Sequence, residues 1–436
     1  MRSRYRLPLL ITLLICLPTL RASGQEDAQG APQPEATAAQ IAFQPIDADF
    51  RNLYQSLRNL GGIGTDERIA IRGLLDRVGE FNQAHPDHAP SVAMMIQLSR
   101  WLGIEDQLPD LYRRLASLQP DNIKVALAAL QYQTRSDGRT PDELHDEYRR
   151  LYDRFPDRPE VLAAWAEHLR KLSQYTQAVA VLEAADLDPA AQPDAVYTLA
   201  HCLFAEHQFQ KAHDTLSSIP DATLARRLDL QRRVQEHREP FQQYAELWQQ
   251  EQAIRAEEAV AGDLPQVQIV TSKGPIILEL FENQAPNTVA NFISLAEAGF
   301  YDSSAFHRYE PDFMIQGGDP NTKPGAEGRP GVGDPGYFIP DEHRDENLRR
   351  HHFRGSVAMA NRGGPDTAGC QFYLTHKPTW WLNGKNTVFG RIIDGLDLAR
   401  TLREGDQIIT VAVISKRDHP YEPRTLERGS VEVQPR

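Results

Sequence analysis

The stretch from Ala305 to Asp319 reads AFHRYEPDFMIQGGD. It sets a permanently charged guanidinium, Arg308, near apolar Phe313 and Met314, an amide at Gln316, and two adjacent glycines, Gly317 and Gly318. A held guanidinium is a fixed donor for charge that develops only during a reaction. Glycine in a strand marks a bend or a close backbone approach. The stretch alone has an ordinary reading too: an arginine in a strand is usually solvated or ion-paired, and Phe-Met-Ile is usually core. Other chemistries find less support. His307 and Cys370 lack a third orienting group for a nucleophile pair. His343, His351, His352 and His376 follow no standard ligand spacing and are interleaved with Arg344, Arg349 and Arg350, so no metal site and no cofactor is expected. The run RDENLRRHHFRG is mixed in sign and reads as a solvated loop rather than a nucleic-acid patch.

Such side chains need a rigid frame, and the sequence around them reads as β. QVQIVTSKGPIILELF predicts two strands about a Ser-Lys-Gly turn. Val267 and Ile269 fall on one side of the first, and Ile276, Leu278 and Leu280 on one side of the second. Pro286 opens a helix whose inner face is Val289, Phe292, Ile293 and Leu295. Short apolar runs follow at 313–315, 356–360, 371–374, 387–389 and 408–414, with Gly- and Pro-rich turns between. From about Pro265 the chain is expected to form an all-β barrel or sandwich with a helix or two.

Taken in order, APNTVANF, FHR…FMIQGGD, MAN…GPDTAGCQFYL, WLNGKNTVFG and the closing DQIITVAVI resemble the cyclophilin family of peptidyl-prolyl cis-trans isomerases, over about Val267 to His419. The resemblance implies a closed eight-stranded antiparallel barrel with two capping helices. It puts the family's catalytic arginine at Arg308, and the proline-ring pocket at Phe313, Met314, Tyr373 and Leu382. The backbone clamp falls on Gln316, Asn361 and Gln371, with the main chain at Ala360, and the drug-contacting tryptophan on Trp381. There are departures. Tyr373 stands where phenylalanine is common, adding a hydroxyl at the rim. Asn386 stands where a pocket histidine is common, and NRGGPDTAG carries one additional residue. Trp381 favours cyclosporin binding and Asn386 counts against it. The residue types suit the implied reaction. Rotating a peptide bond costs about 18–20 kcal/mol because resonance is lost. A donor aimed at the prolyl nitrogen helps only while the bond is twisted, which is what catalysis requires. No nucleophile, metal or general base is needed.

The preceding half is helical from about Ile41 to Ala261, with apolar spacing of three and four. Breakers recur at Pro86, Pro120, Pro156, Pro189 and Pro220. Two units match at a shift of 34: Ala166 with Ala200, Leu169 with Leu203, Tyr175 with Phe209, Ala178 with Ala212, and Leu182 with Leu216. This resembles the tetratricopeptide repeat family, well over Asp157 to Pro220 and loosely over Asn59 to Phe155. Such an array binds a peptide or protein on its concave face, or serves as a packing platform. Pro240 to Ala261 reads as one amphipathic helix, ended by Gly262-Asp263-Leu264-Pro265.

Arg2, Arg4 and Arg6, the apolar run Leu7 to Leu20 and the small-x-small Ala22-Ser23-Gly24 read as a cleavable signal peptide, with the mature chain starting at Gln25. The 14-residue apolar run falls short of the roughly 20 needed to span a membrane. An uncleaved anchor is the alternative. A lipoprotein through Cys16 is weaker, because Ile15 is bulky and apolar residues continue beyond. Cys202 and Cys370 are expected as two buried thiols. The net charge of -13 argues against non-specific nucleic-acid binding.

The organisation expected is therefore multidomain α + β. It comprises a signal peptide (1–24), a disordered spacer (25–40), tetratricopeptide-like repeats (41–238), a connecting helix and linker (239–264), a cyclophilin-like domain (265–420) and a tail (421–436). The expected function is isomerisation of X-Pro bonds in exported, periplasmic or extracytoplasmic clients, with a protein partner on the repeats. The signal-peptide style and the PGYFIPDEH insertion, which resembles bacterial members, place it in a bacterial setting. A non-catalytic proline-peptide binding module is the competing reading.

Overall fold

A computed structural model describes residues 37–58, 62–136 and 138–428. The signal peptide, Cys16, most of the spacer and the end of the tail lie outside the described residues. The chain divides into two compact units, one up to Pro156 and one from Asp157.

The first unit is helical: α1 (Ala38–Arg58), α2 (Thr65–Ala84), α3 (Ala89–Leu102), α4 (Leu108–Leu118), α5 (Ile123–Ser136) and α6 (His145–Arg154). The first helix starts three residues inside the expected spacer. Thr37 Oγ1 accepts from the Gln40 amide at 3.2 Å while Gln40 Oε1 accepts from the Thr37 amide at 2.8 Å, a reciprocal cap that satisfies two orphan donors. Phe43, Ile71, Leu74, Val78 and Leu98 form one core, and Val92, Leu111, Tyr112, Leu115 and Val125 another.

The second unit opens with two helical hairpins: α7 (Pro159–Lys171) with α8 (Tyr175–Glu183), and α9 (Pro193–Ala205) with α10 (Phe209–Ser217). Every boundary repeats after 34 residues, and all ten residues matched from sequence are buried. The turns repeat as well: Ser173 (φ 58°) and His207 (φ 61°) occupy the same left-handed position. After the short α11 (Asp221–Leu224), α12 runs from Leu228 to Ala261. It begins twelve residues before the expected start and passes through Pro240. Proline removes the bond to the Glu236 carbonyl, but Glu236 is exposed to water. Buried Leu230, Val234, Phe241 and Tyr244 pin both halves.

The sheet has nine strands: β1 (Gln266–Thr271), β2 (Gly274–Leu280), β3 (Ser304–Ala305), β4 (Arg308–Glu310), β5 (Met314–Gly317), β6 (Ser356–Met359), β7 (Phe372–Thr375), β8 (Val388–Asp394) and β9 (Gln407–Ser415). Their order is β3-β9-β1-β2-β8-β6-β7-β5-β4, antiparallel throughout. The expected closed eight-stranded barrel is thus corrected to a curled nine-stranded sheet. Phe306 and His307 separate β3 from β4, so β3 ends one side of the sheet and β4 the other. The expected inner residues of β1, β2 and α13 (Pro286–Glu297) are buried. A second helix, α14 (Leu396–Thr401), follows β8. Tyr421 to Leu426, assigned to the tail from sequence, instead pack on this domain. Tyr421 is buried and Leu426 bridges Phe338. Cys202 and Cys370 are buried free thiols. No helix among the described residues is long and apolar enough to cross a membrane.

Candidate active site

Alternation on the strands separates two faces. Ile315, Val357, Phe372, Leu374 and Phe389 enter the main core with α13. Their neighbours Met314, Ala358, Tyr373 and Val388 form a second cluster with Leu264 and Phe281, against which Phe313, Ala360 and Leu382 pack. Register then aligns the polar residues on this second face: Arg308 opposite Gln316, and Gln316 opposite Tyr373. Directly paired residues share a face with their side chains adjacent.

The two glycines end this row for steric reasons. Gly318 has φ +83°, and a Cβ there would lie 2.7 Å from the Cys370 carbonyl oxygen. A Cβ on Gly317 would lie 2.9 Å from Phe306. The strand turns only because both positions lack a side chain.

Arg308 is half exposed and its guanidinium pairs with Glu310, Nη2 to Oε1 at 3.1 Å. Gln316 is buried and donates from Nε2 to Gln371 Oε1 at 2.8 Å. Gln371 in turn donates to Asp319 Oδ2 at 3.1 Å and to the Gly333 carbonyl at 2.9 Å. Fully buried Asp319 also accepts from the amides of Asn321, Gly331 and Gly333. A buried carboxylate therefore orients one amide, which orients the next. Glu310 and Asp319 lie inside the stretch that drew attention in sequence, yet spacing alone does not reveal which acidic residue will pair.

Phe313 and Trp381 are ring neighbours at 5.6 Å, and Trp381 is exposed. The Ala360 amide donates to the Gln371 carbonyl at 2.9 Å. Asn361 and Asn386 stand at the next rim. Asn361 Nδ2 donates to the Lys385 carbonyl at 2.8 Å, and Asn386 Nδ2 to the Met359 carbonyl at 2.9 Å. They line a cleft of about 350 Å³ with Asp341, Arg344 and Lys385. The residues singled out from sequence thus fall in two groups: Asn361 and Asn386 at this cleft, and the other nine about the second cluster and its polar row, with Ala360 and Leu382 next to both. Asn386 is linked to Leu382 by a backbone bond of 3.3 Å.

The Tyr373 hydroxyl is not at the rim, as expected from sequence. Tyr373 is buried, and its hydroxyl meets His352 Nε2 at 2.8 Å. His352 Nδ1 lies 2.9 Å from Asn383 Oδ1, Asn383 Nδ2 donates to the Tyr244 hydroxyl at 2.9 Å, and that hydroxyl donates to the His352 carbonyl at 3.1 Å. The pocket wall is thus tied to α12. Burial pushes His352 down to about 4, so its ring is neutral near pH 7.

The RDENLRRHHFRG run is likewise no solvated loop at its centre. Arg350 is buried, donates to Glu251 from Nε and Nη2 at 2.9 and 2.7 Å and to Glu258 at 2.5 Å, and stacks 3.7 Å over Phe281. Arg354 pairs with Glu206, and its amide donates to His207 Nε2 at 3.0 Å. The charges look solvated in sequence because their partners lie 92 to 148 residues away, on α12 and just past the end of α9.

Residues 266–426 match the family model of cyclophilin-type peptidyl-prolyl cis-trans isomerases, and residues 169–229 a tetratricopeptide repeat model. A peptidyl-prolyl cis-trans isomerase of Synechococcus elongatus is 42% identical over 154 residues, 35% of this chain and 98% of its own length. The chain belongs to the cyclophilin-type peptidyl-prolyl cis-trans isomerases. The peptidyl-prolyl cis-trans isomerase-like 2 protein of Cryptococcus neoformans is 47% identical over 127 residues, but the chain spans only 21% of that protein's length. A crystal structure of a Cryptosporidium parvum cyclophilin-type isomerase is 30% identical, with a TM-score of 0.31, covering 35% of this chain and 99% of that one. The cyclophilin domain follows a helical region that carries the tetratricopeptide match, and prolyl isomerase activity comes with the family.

Proposed function

We propose that Arg308 is the catalytic residue of this isomerase, and that its clients are exported polypeptides. The observation that carries the assignment is the ladder row of Arg308, Gln316 and Tyr373, flanked by Phe313, Met314 and Leu382. In this reading Phe313, Met314, Leu382 and the ring of Tyr373 seat the prolyl ring, with Trp381 and Asn386 at its edges. Gln316, Gln371, Asn361 and the Ala360 main chain hold the flanking amides, so that one side of the bond turns against the other. The prolyl nitrogen gains lone-pair character as the bond twists, and the guanidinium then donates to it. The donor is stronger for the twisted state than for the planar one, which lowers the barrier.

Export is supported by the N-terminal arginines, the apolar run and Ala22-Ser23-Gly24. The setting is then periplasmic or extracytoplasmic, with release at Gln25 rather than retention by an uncleaved anchor. Amino-terminal sequencing of the mature chain tests this, and a start at Met1 in the membrane fraction would favour the anchor. Recruitment of a client or partner by the repeats rests on the repeat match.

Measuring the cis-to-trans rate on an X-Pro peptide, with Arg308→Ala beside the native chain, tests the central assignment. Loss of one such donor should lower kcat by about 10²–10³. A native chain no faster than Arg308→Ala would leave a proline-peptide binding module instead.

A further inference from the structure

The turn between β4 and β5 is held by the helical repeats. Asp312 at this turn is buried and has φ 56°, a left-handed conformation that aspartate adopts more readily than most residues other than glycine. Arg170, at the end of α7, pairs with its Oδ2, as does Lys377 at 2.5 Å. Tyr175, the first residue of α8, donates to its Oδ1 at 2.8 Å. The grip continues around the turn. The His376 amide donates to the Phe313 carbonyl at 2.8 Å, and His376 Nδ1 lies 3.3 Å from Ser173 Oγ. Arg400 donates to the Ser173 carbonyl at 2.9 Å. Glu167 holds the other side of the Arg170 guanidinium, at 2.8 and 2.7 Å. All of these residues belong to the one compact unit that begins at Asp157.

Asp312 immediately precedes Phe313, and the strand before it carries Arg308. A left-handed residue other than glycine carries some strain, less for aspartate than for most, which its surroundings must hold. Here the surroundings are supplied by a helical hairpin 142 residues away in sequence. We infer that Asp312 is a positioning residue for isomerisation, through which Arg170 and Tyr175 of the repeats fix the Phe313 wall of the proline pocket. The helical region thereby acts in cis on its own cyclophilin domain. This rests on the assignment of Phe313 and Arg308 to the prolyl site.

The test uses full-length chains and separates positioning from mere folding. Arg308 is kept in register by its pairing with Gln316, so loosening the turn should act on the pocket wall first. Arg170→Ala should raise KM for an X-Pro peptide about tenfold with kcat within about twofold, and Arg170→Lys should restore most of the loss. Global destabilisation would instead lower apparent kcat and leave KM alone. Tyr175→Phe removes the hydroxyl that reaches Asp312 and Ser173 without leaving a buried charge unpaired, and should raise KM about threefold. It decides the matter if Arg170→Ala does not fold. KM unchanged in the folded variants, or a loss confined to apparent kcat, would overturn the inference. An NMR titration of the same peptide gives its Kd independently of turnover. If the native chain proved no faster than Arg308→Ala, the catalytic assignment would fail, while the Kd comparison would still decide whether the repeats position the pocket.

Discussion

Arg308 and Glu310 lie two residues apart on one strand and form an ion pair, so without substrate the guanidinium is held by Glu310. Both side chains are nearly half exposed, and such pairs are worth roughly 0–1 kcal/mol. Releasing the arginine toward a substrate therefore costs at most a few-fold in rate. Glu310→Ala should raise kcat/KM by up to about fivefold at low salt, an advantage that shrinks as salt screens the pair. A large loss of activity in this variant would mean that Glu310 aims the guanidinium instead of restraining it.

The Tyr373 hydroxyl serves His352 and not the substrate. Tyr373→Phe leaves a buried imidazole nitrogen without its partner and should cost about 1–3 kcal/mol in urea unfolding. Turnover of a prolyl peptide should stay within about twofold, since a bond absent from the substrate adds nothing to transition-state binding.

Asn386 spends its side-chain amide on the Met359 carbonyl. Asn386→His puts a flat ring at the edge of the proline pocket and should raise kcat/KM about tenfold, the scale on which added apolar contact discriminates. Cyclosporin affinity should tighten in the same variant, measured by inhibition of the same assay.

Several histidines make the fold acid-sensitive. Burial pushes His352 down to about 4, and burial followed by the charge of Arg403 pushes His376 down to about 3. Burial also holds His201 and His207 well below the ordinary range. Each is neutral in the fold but titrates near 6.5 when unfolded. The unfolded chain therefore binds more protons below about pH 6.5, and stability falls as pH drops from there toward 4. Each such group contributes about 1 kcal/mol per pH unit over that window. Asp312 adds its own loss lower down. Burial raises its carboxyl, but Arg170 and Lys377 outweigh burial and hold it below the ordinary carboxylate range. Its contribution is present above about pH 4 and disappears as pH falls through the folded value. Urea midpoints from pH 7.5 to 5 should decline steadily, and replacing His376 with asparagine should flatten the slope.

Arg350 is buried between Glu251 and Glu258, which lie seven residues apart on one face of α12. Glu251→Ala leaves the guanidinium underpaired and should destabilise by about 3–5 kcal/mol, read from chemical denaturation. A change below 1 kcal/mol would show that water reaches the site.

What was legible in the sequence was what local pattern encodes. Tyr175 and Phe209 announce the repeat at 34 residues, Val289 and Phe292 the inner face of α13, and the apolar run 313–315 the strand β5. Residues whose meaning depends on a distant partner were not legible. Asp312 has no meaning in the sequence until Arg170 is seen beside it. His352 reads as part of a charged loop until Tyr373 and Tyr244 close around it. Pro240 reads as a helix start because local preference favours it there, yet buried Phe241 and Tyr244 outweigh the lost backbone bond. Strand closure failed for a related reason. The interruption at Phe306 and His307 depends on which carbonyls lie opposite, and those belong to Asp406 and Gln316.

The equivalent turns at Ser173 and His207 have a consequence for how this chain can vary in length. Repeat arrays ordinarily gain or lose whole units anywhere along the stack, because each unit meets only its neighbours. Here two successive turns are already engaged, by different residues with different bonds: Ser173 with His376 and Arg400, and His207 with Arg354. A 34-residue duplication that set a second copy of the His207 turn where Ser173 stands would place the wrong side chain beside His376 and Arg400. The hairpins from Pro159 to Ser217 are thus pinned in register at their C-terminal end, like a ruler fixed at its zero.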